Sequence, residues 1–160
     1  MPTKKLDRID RRILEEIQAD GSISNLELAE RVGLSPSPCS RRVKQLQDSG
    51  IISRQVTLLD QEALGLPISI YIHVCLDHQA PERLENFDET VSSYPEVVEC
   101  ALITGGDADY LLKVVMPDMA YYQNFLLNKL NRIKGVSSIR TSFVLRQVTQ
   151  RTTLPLNHIK

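Results

Sequence analysis

Apolar residues return every three or four positions through the first third of the chain and every second position in stretches further on, and this change of period divides it. Leu6, Ile9, Ile13, Leu14 and Ile17 recur at helical spacing behind Asp7, whose carboxylate can cap the free N–H groups of a helix start. Asp10, Arg11, Glu15 and Glu16 take the wet side, and Asp20-Gly21 ends the helix. Ser24-Asn25-Leu26-Glu27 has the form of a capping box and opens a short helix with Leu28, Ala29 and Val32 inward. Gly33 turns the chain. Ser35-Pro36 then starts a third helix, with a hydroxyl to cap and a proline where its missing N–H does no harm. Cys39, Val43 and Leu46 form its buried stripe, and Asp48-Ser49-Gly50 closes it. Residues 51–58 are β-branched and apolar enough for a strand, either a wing or an interchain ribbon. The mixed stretch 60–67, with a glycine and a proline, marks a domain boundary.

From Ile68 the period becomes two. Ile68, Ile70, Ile72, Val74 and Leu76 point one way, and the semi-polar Ser69, Tyr71, His73 and Cys75 the other. Pro81 starts a helix with Leu84, Phe87, Val91 and Tyr94 inward. Residues 97–104 and 109–116 read as strands joined by a turn at Gly105-Gly106-Asp107-Ala108. Met119, Tyr122, Leu126, Leu130 and Ile133 mark one long helix closed by Lys134-Gly135. Residues 136–148 form a last strand, with Ile139, Thr141, Phe143 and Leu145 on one face. The order β-α-β-β-α-β is that of a ferredoxin-like split βαβ sandwich, whose sheet carries helices on one side only. The expected class is α+β: a winged helix-turn-helix domain with its following strand and linker over 1–59, then a ferredoxin-like domain over 60–160. Pairing with a second copy is the simplest cover for the semi-polar sheet face.

Composition is ordinary for a globular protein, and a formal net charge of −1 gives no global pull toward nucleic acid. The distribution says more. Residues 35–54 hold Arg41, Arg42, Lys44 and Arg54 against Asp48 alone. The outward side of the third helix carries Ser35, Ser37, Ser40, Arg41, Lys44 and Gln45, with Arg42 beside them. Two readings compete: a solvated cationic face on a three-helix bundle, or a recognition helix for the major groove of DNA. Hydroxyls at the helix start, which can donate to phosphate along with free backbone N–H groups, favour double-stranded DNA. With so few cations per chain, any such affinity must come from a local patch repeated by oligomerisation.

Other chemistry finds little support. Cys39, Cys75 and Cys100 are odd in number and far apart, as reduced cysteines in a cytosolic protein are. His73, His78 and His158 are scattered, so no metal site is expected, and no spacing suggests nucleophilic catalysis. The carboxylate pairs Glu15-Glu16 and Glu85-Asp88 fall on wet helix faces. Lys4-Lys5 leads straight into a charged amphipathic segment rather than a signal peptide, and no apolar run approaches the ~20 residues of a membrane helix. A cytoplasmic protein that is not an enzyme and needs no cofactor is expected.

Three stretches in order carry a resemblance: Leu6-Asp7-Arg8-Ile9-Asp10-Arg11-Arg12-Ile13-Leu14; Val32-Gly33-Leu34-Ser35-Pro36 ahead of Cys39 and Arg42-Val43; and Gly106-Asp107-Ala108-Asp109-Tyr110-Leu111-Leu112. Together they resemble the Lrp/AsnC family of feast/famine regulators, over about residues 6 to 150. The resemblance implies DNA binding through the helix-turn-helix, an amino-acid-sensing C-terminal domain, dimers built through that domain, and tetramers or octamers built from those. Taken by residues alone, Gly105-Gly106-Asp107 is a hairpin turn. In the light of the family it is an effector loop. Glycine N–H groups at Gly105 and Gly106 can meet a carboxylate, and Asp107 and Asp109 an ammonium, with Tyr110 following. The family places its ligand between subunits, so a neighbour's Met119, Tyr122, Thr141 or Ser142 completes the expected site. Likeness favours leucine or methionine as the effector. A second glycine before the Asp-x-Asp departs from the family pattern. Two rival functions are a regulatory subunit of an amino-acid enzyme and a ligand-independent, architectural DNA-binding protein.

Overall fold

The computed structural model describes residues 5–159, so Lys4 lies outside it. It forms two units: one is drawn from the chain up to Leu58 together with the segment from Val148 onward, the other is Leu59–Gln147. Where the sequence carries the second domain through to residue 160, the structure returns the tail to the first unit.

In the first unit, α1 (Arg8–Ala19), α2 (Asn25–Val32) and α3 (Pro36–Asp48) close around Ile13, Leu14, Leu28, Ala29, Val32, Cys39 and Leu46, all buried. The α1 start is a full capping box. The Asp7 carboxylate accepts from the N–H groups of Ile9 and Asp10 at 2.9 and 2.8 Å, and Asp10 answers the Asp7 N–H. Asp10, expected on the wet side, is therefore buried. At α2 only half the expected box forms: the Ser24 hydroxyl accepts from the Glu27 N–H. Gly33 then takes a left-handed conformation, φ 75°, which a side chain resists, and the chain turns into α3. Arg12 places its guanidinium on the carbonyls of Arg31 and Val32, satisfying the end of α2.

No strand forms at 51–58: a strand needs a ladder partner, and the four strands of the described chain all pair in the other unit. The tail lies along α1. Gln18 exchanges two hydrogen bonds with the Leu154 backbone, at 3.1 and 2.8 Å, and Arg11 donates to the Asn157 side chain and the Ile159 carbonyl. Leu156 packs against the apolar cluster of this unit, and Ile159 is buried.

The second unit is a four-stranded antiparallel sheet in the order β2-β3-β1-β4, built from β1 (Ile68–Leu76), β2 (Val97–Leu102), β3 (Tyr110–Met116) and β4 (Val136–Phe143). The helices α4 (Pro81–Ser92) and α5 (Met119–Asn128) supply Phe87, Val91 and Phe125 to its core, against Ile70, Ile72, Val74, Leu112 and Val114. This is the expected sandwich. The long second helix is shorter than its periodicity predicts: it stops at Asn128, a single tight turn, Leu130–Arg132, carries Leu130, and Ile133 follows in extended backbone. The last strand likewise ends at Phe143, leaving Leu145 fully exposed. On the side away from the helices, Ser69, Tyr71, His73 and Cys75 lie opposite Val115, Lys113 and Leu111 of β3 and Ser142, Arg140 and Ser138 of β4. This open face is semi-polar and half-buried along β1.

Candidate nucleic-acid interface and ligand-binding loop

The α3 surface divides into a side that docks and a side that faces solvent. Cys39 and Leu46 are fully buried, while Ser35, Ser37, Ser40, Arg41, Lys44 and Gln45 are all exposed. Arg42 departs from that set. Its Nη1 lies 2.8 Å from both Asp7 and Asp10, so this cation ties α3 to the cap of α1 instead of facing a groove. The same contacts help hold the Asp7 carboxyl below the usual range, where the Asp10 N–H bond is the largest cause. Arg41 and Lys44 form no ion pair among the described residues, leaving their charge available.

The helix start differs from expectation in two respects. The Ser35 side chain makes no capping bond, so its hydroxyl is not spent on the helix. The prolines at 36 and 38 remove two backbone donors and Cys39 donates to the Ser35 carbonyl, leaving Ser37 as the backbone N–H of the first turn that can meet a phosphate. Hydroxyls, more than backbone, must therefore supply polar contacts there. Asn25, which the sequence did not single out, donates its side-chain amide to the Pro36 carbonyl at 3.0 Å and fixes the start of α3 against α2.

The β2–β3 loop also separates its residues. Asp109 is buried: one carboxylate oxygen accepts from the Leu76 N–H at 2.7 Å and the other from the Gln79 amide. Its backbone bonds to Val74 and Ile103 as well. Asp109 thus latches the loop to the end of β1, and the expectation that it receives an ammonium meets a carboxylate already engaged. Tyr110 is also displaced from the expected site. Its register on β3 turns it toward the helices, where its ring packs on Phe87 with centroids 4.3 Å apart, and burial raises its hydroxyl well above the ordinary value.

Gly105, Gly106 and Asp107 remain at the surface. Gly105 has φ 90°, no atom crowds the Cβ position of either glycine, and the N–H groups of the three residues make no backbone hydrogen bond among the described residues. The Asp107 side chain is 90% exposed, while its carbonyl accepts from the Cys75 thiol on the open face. Arg140 of β4, absent from the sequence reading, reaches to 3.8 Å from the Asp107 carboxylate. Its signal was available in principle, since Arg140 has the parity of the β4 residues turned away from the helices.

Tyr122 and Thr141 meet on the helix side, hydroxyl to hydroxyl at 2.8 Å, with the Tyr122 ring edge-on to Phe143. Met119 is exposed at the start of α5, which follows the β3 end opposite Ile68, whereas the loop lies at the Val74–Leu76 end of β1. Ser142 faces the other side of the sheet, opposite Tyr71. Within one chain, then, Met119, Tyr122, Thr141 and Ser142 are not gathered around Asp107. No group of three metal-ligating side chains occurs among the described residues, and none of the described helices is long and apolar enough to cross a membrane.

Two family models match the chain: a winged helix-turn-helix DNA-binding model over residues 6–53 and an Lrp/AsnC ligand binding domain model over 69–154. The leucine-responsive regulatory proteins of Klebsiella pneumoniae and Escherichia coli K12 are each 44% identical to it over 153 residues, 96% of this chain and 93% of theirs. Among solved structures, a transcriptional regulator from Neisseria meningitidis in complex with L-Met superposes with a TM-score of 0.93 at 41% identity, covering 97% of this chain and 99% of that one. An AsnC family transcriptional regulator from Agrobacterium tumefaciens gives 0.91 at 36% identity, covering 97% and 100%.

Proposed function

The chain belongs to the Lrp/AsnC family of DNA-binding transcriptional regulators and is not an enzyme, and from that premise we propose that it controls transcription in response to an apolar amino acid, leucine or methionine, received at the Gly105–Asp107 loop. In this reading the exposed side of α3 enters the major groove. Arg41, Lys44 and Gln45 reach bases and phosphates, and Ser35, Ser37 and Ser40 supply hydroxyls at the helix start. Arg42 holds α3 in place and acts on DNA only through that.

The observation that carries the effector assignment is the contrast between neighbours: Asp109 is consumed by its own chain, while Asp107, Gly105 and Gly106 offer a carboxylate and unspent N–H groups to solvent. An amino acid presents the complementary pair of charges. Leucine is supported by the names of the relatives and methionine by the ligand of the Neisseria protein. The open sheet face, too polar for a core and too apolar for a wet surface, supports a homodimer. Further pairing to tetramers or octamers would bring Met119, Tyr122, Thr141 or Ser142 of a neighbour toward the loop and multiply the α3 helices on DNA.

A thermal-shift panel of the twenty amino acids on the full chain, followed by light scattering with each stabilising one, tests this reading. Stabilisation by leucine or methionine, with a response in assembly or promoter binding, is the expected result. Promoter binding with stabilisation by none would leave an architectural DNA-binding protein. No DNA binding would remove the regulatory reading.

A further inference from the structure

We propose that Arg140 is the residue that recognises the carboxylate of the amino-acid effector, with Asp107 receiving the ammonium beside it. The proposal rests on the effector loop proposed above and adds a side-chain cation to the backbone N–H groups that the loop offers the carboxylate. A free amino acid carries its two charges on adjacent groups, so a site selective for it needs an anion and a cation side by side and able to separate. Arg140 and Asp107 are so arranged. They stand 3.8 Å apart, beyond hydrogen-bond length, and both are exposed, at 62% and 90% of the side chain. An exposed pair at that separation contributes little by itself and opens readily.

The pair is placed by the fold. In the β1–β4 ladder Arg140 lies opposite His73, on the open face, and the Asp107 carbonyl is held over the same face by the Cys75 thiol. The strand thus fixes the arginine while the glycines leave the loop free to admit a ligand beside it. A guanidinium suits the task because its planar fork matches a carboxylate with two parallel bonds, and it stays charged at any pH the protein meets. Recognition of this kind reads the free α-carboxylate and rejects a carboxamide or a residue within a peptide, so the site would answer to free amino acids alone.

Calorimetric titration of the full chain with L-methionine, L-leucine and their carboxamides tests this, in the wild type and in Arg140→Gln. The wild type should prefer each acid to its amide. Arg140→Gln should lose about ten- to a hundredfold in affinity for the acid and little for the amide, closing the gap between them. Arg140→Lys, with the charge but not the fork, should recover part of the preference. A gap that survives in Arg140→Gln overturns the proposal while leaving the effector reading intact. An equal loss for acid and amide, or a change in light-scattering mass without ligand, would make Arg140 a structural or interface residue and overturn it as well. A wild type that binds no free amino acid would remove both readings together. Melting temperature and promoter binding near the wild-type values establish that the variants are folded.

Discussion

Among single residues, adjacent arginines illustrate how far local chemistry differs from composition. Arg41 is exposed and forms no ion pair among the described residues, while Arg42 is held by Asp7 and Asp10. Arg41→Ala and Lys44→Ala should each weaken promoter binding and, where the contact is to phosphate, lower the slope of log affinity against log salt by about one, with no change in melting. Arg42→Ala should instead cost about 1–3 kcal/mol of stability, because the buried Asp10 carboxylate loses a charge-assisted bond. Chemical denaturation and fluorescence anisotropy separate the two effects. The two aspartates of the loop divide in the same manner. Asp107→Ala should abolish the amino-acid response and leave stability alone. Asp109→Ala should abolish it by releasing the loop, at about 1–3 kcal/mol, because the Leu76 N–H is left without its acceptor. Differential scanning calorimetry beside the ligand response tells them apart. The sequence made these four residues conspicuous but not their partners. Asp7 and Asp10 lie 35 and 32 positions from Arg42, and Leu76 and Gln79 lie 33 and 30 from Asp109, so only the folded chain brings them together.

At the scale of elements, a cap carries consequences beyond its own helix. The Asp7 carboxyl is held below its ordinary value by the Asp10 N–H foremost, with Arg42 adding to it against some desolvation. A carboxylate depressed in the folded state stabilises it above the unfolded pKa of about 3.9. That contribution is lost as pH falls through the lower, folded value. The first unit should therefore lose stability progressively below about pH 4, and Asp7→Asn should flatten that part of the pH–stability profile, read by circular dichroism melts. Elements with a regular apolar period were legible in advance: the three N-terminal helices, β1 with its alternation, and the βαββαβ order. Less was legible where several endings fit one pattern. Met119 to Ile133 keep helical spacing throughout, yet α5 ends at Asn128, with Lys129 as its C-cap at φ −115°, ψ −70°, and Phe125, unmarked by that spacing, becomes the fully buried residue of α5. The stretch 51–58 has strand composition but no ladder partner among the described residues, and composition cannot supply one.

For the whole molecule, the proposed pairing through the open sheet face would set how many copies of α3 act together. Tyr71 lies between Lys113 and Ser142 on that face. A charge there, as in Tyr71→Glu, should reduce the mass measured by light scattering to that of a single chain. It should also weaken promoter binding by more than tenfold, since paired half-sites multiply affinity without any new contact. A dimer that persists with full affinity would place the interface elsewhere. Met119 and Thr141, expected at the effector site, stay apart from the loop within one chain, so only the proposed assembly could bring them to it.

The tail that lies on α1 bears on the order in which the protein is made. The ribosome delivers the three helices first, but Leu156, which packs against their apolar cluster, emerges only after the sheet domain has been translated. Until then the nascent DNA-reading unit lacks the partners that Leu154, Asn157 and Ile159 give to the Gln18 amide and to the two terminal nitrogens of Arg11. Domains generally fold as units while the chain is synthesised. Here the first unit to appear is the last to be completed, so a truncated translation product is deprived of a finished DNA-binding surface as well as of its ligand sensor.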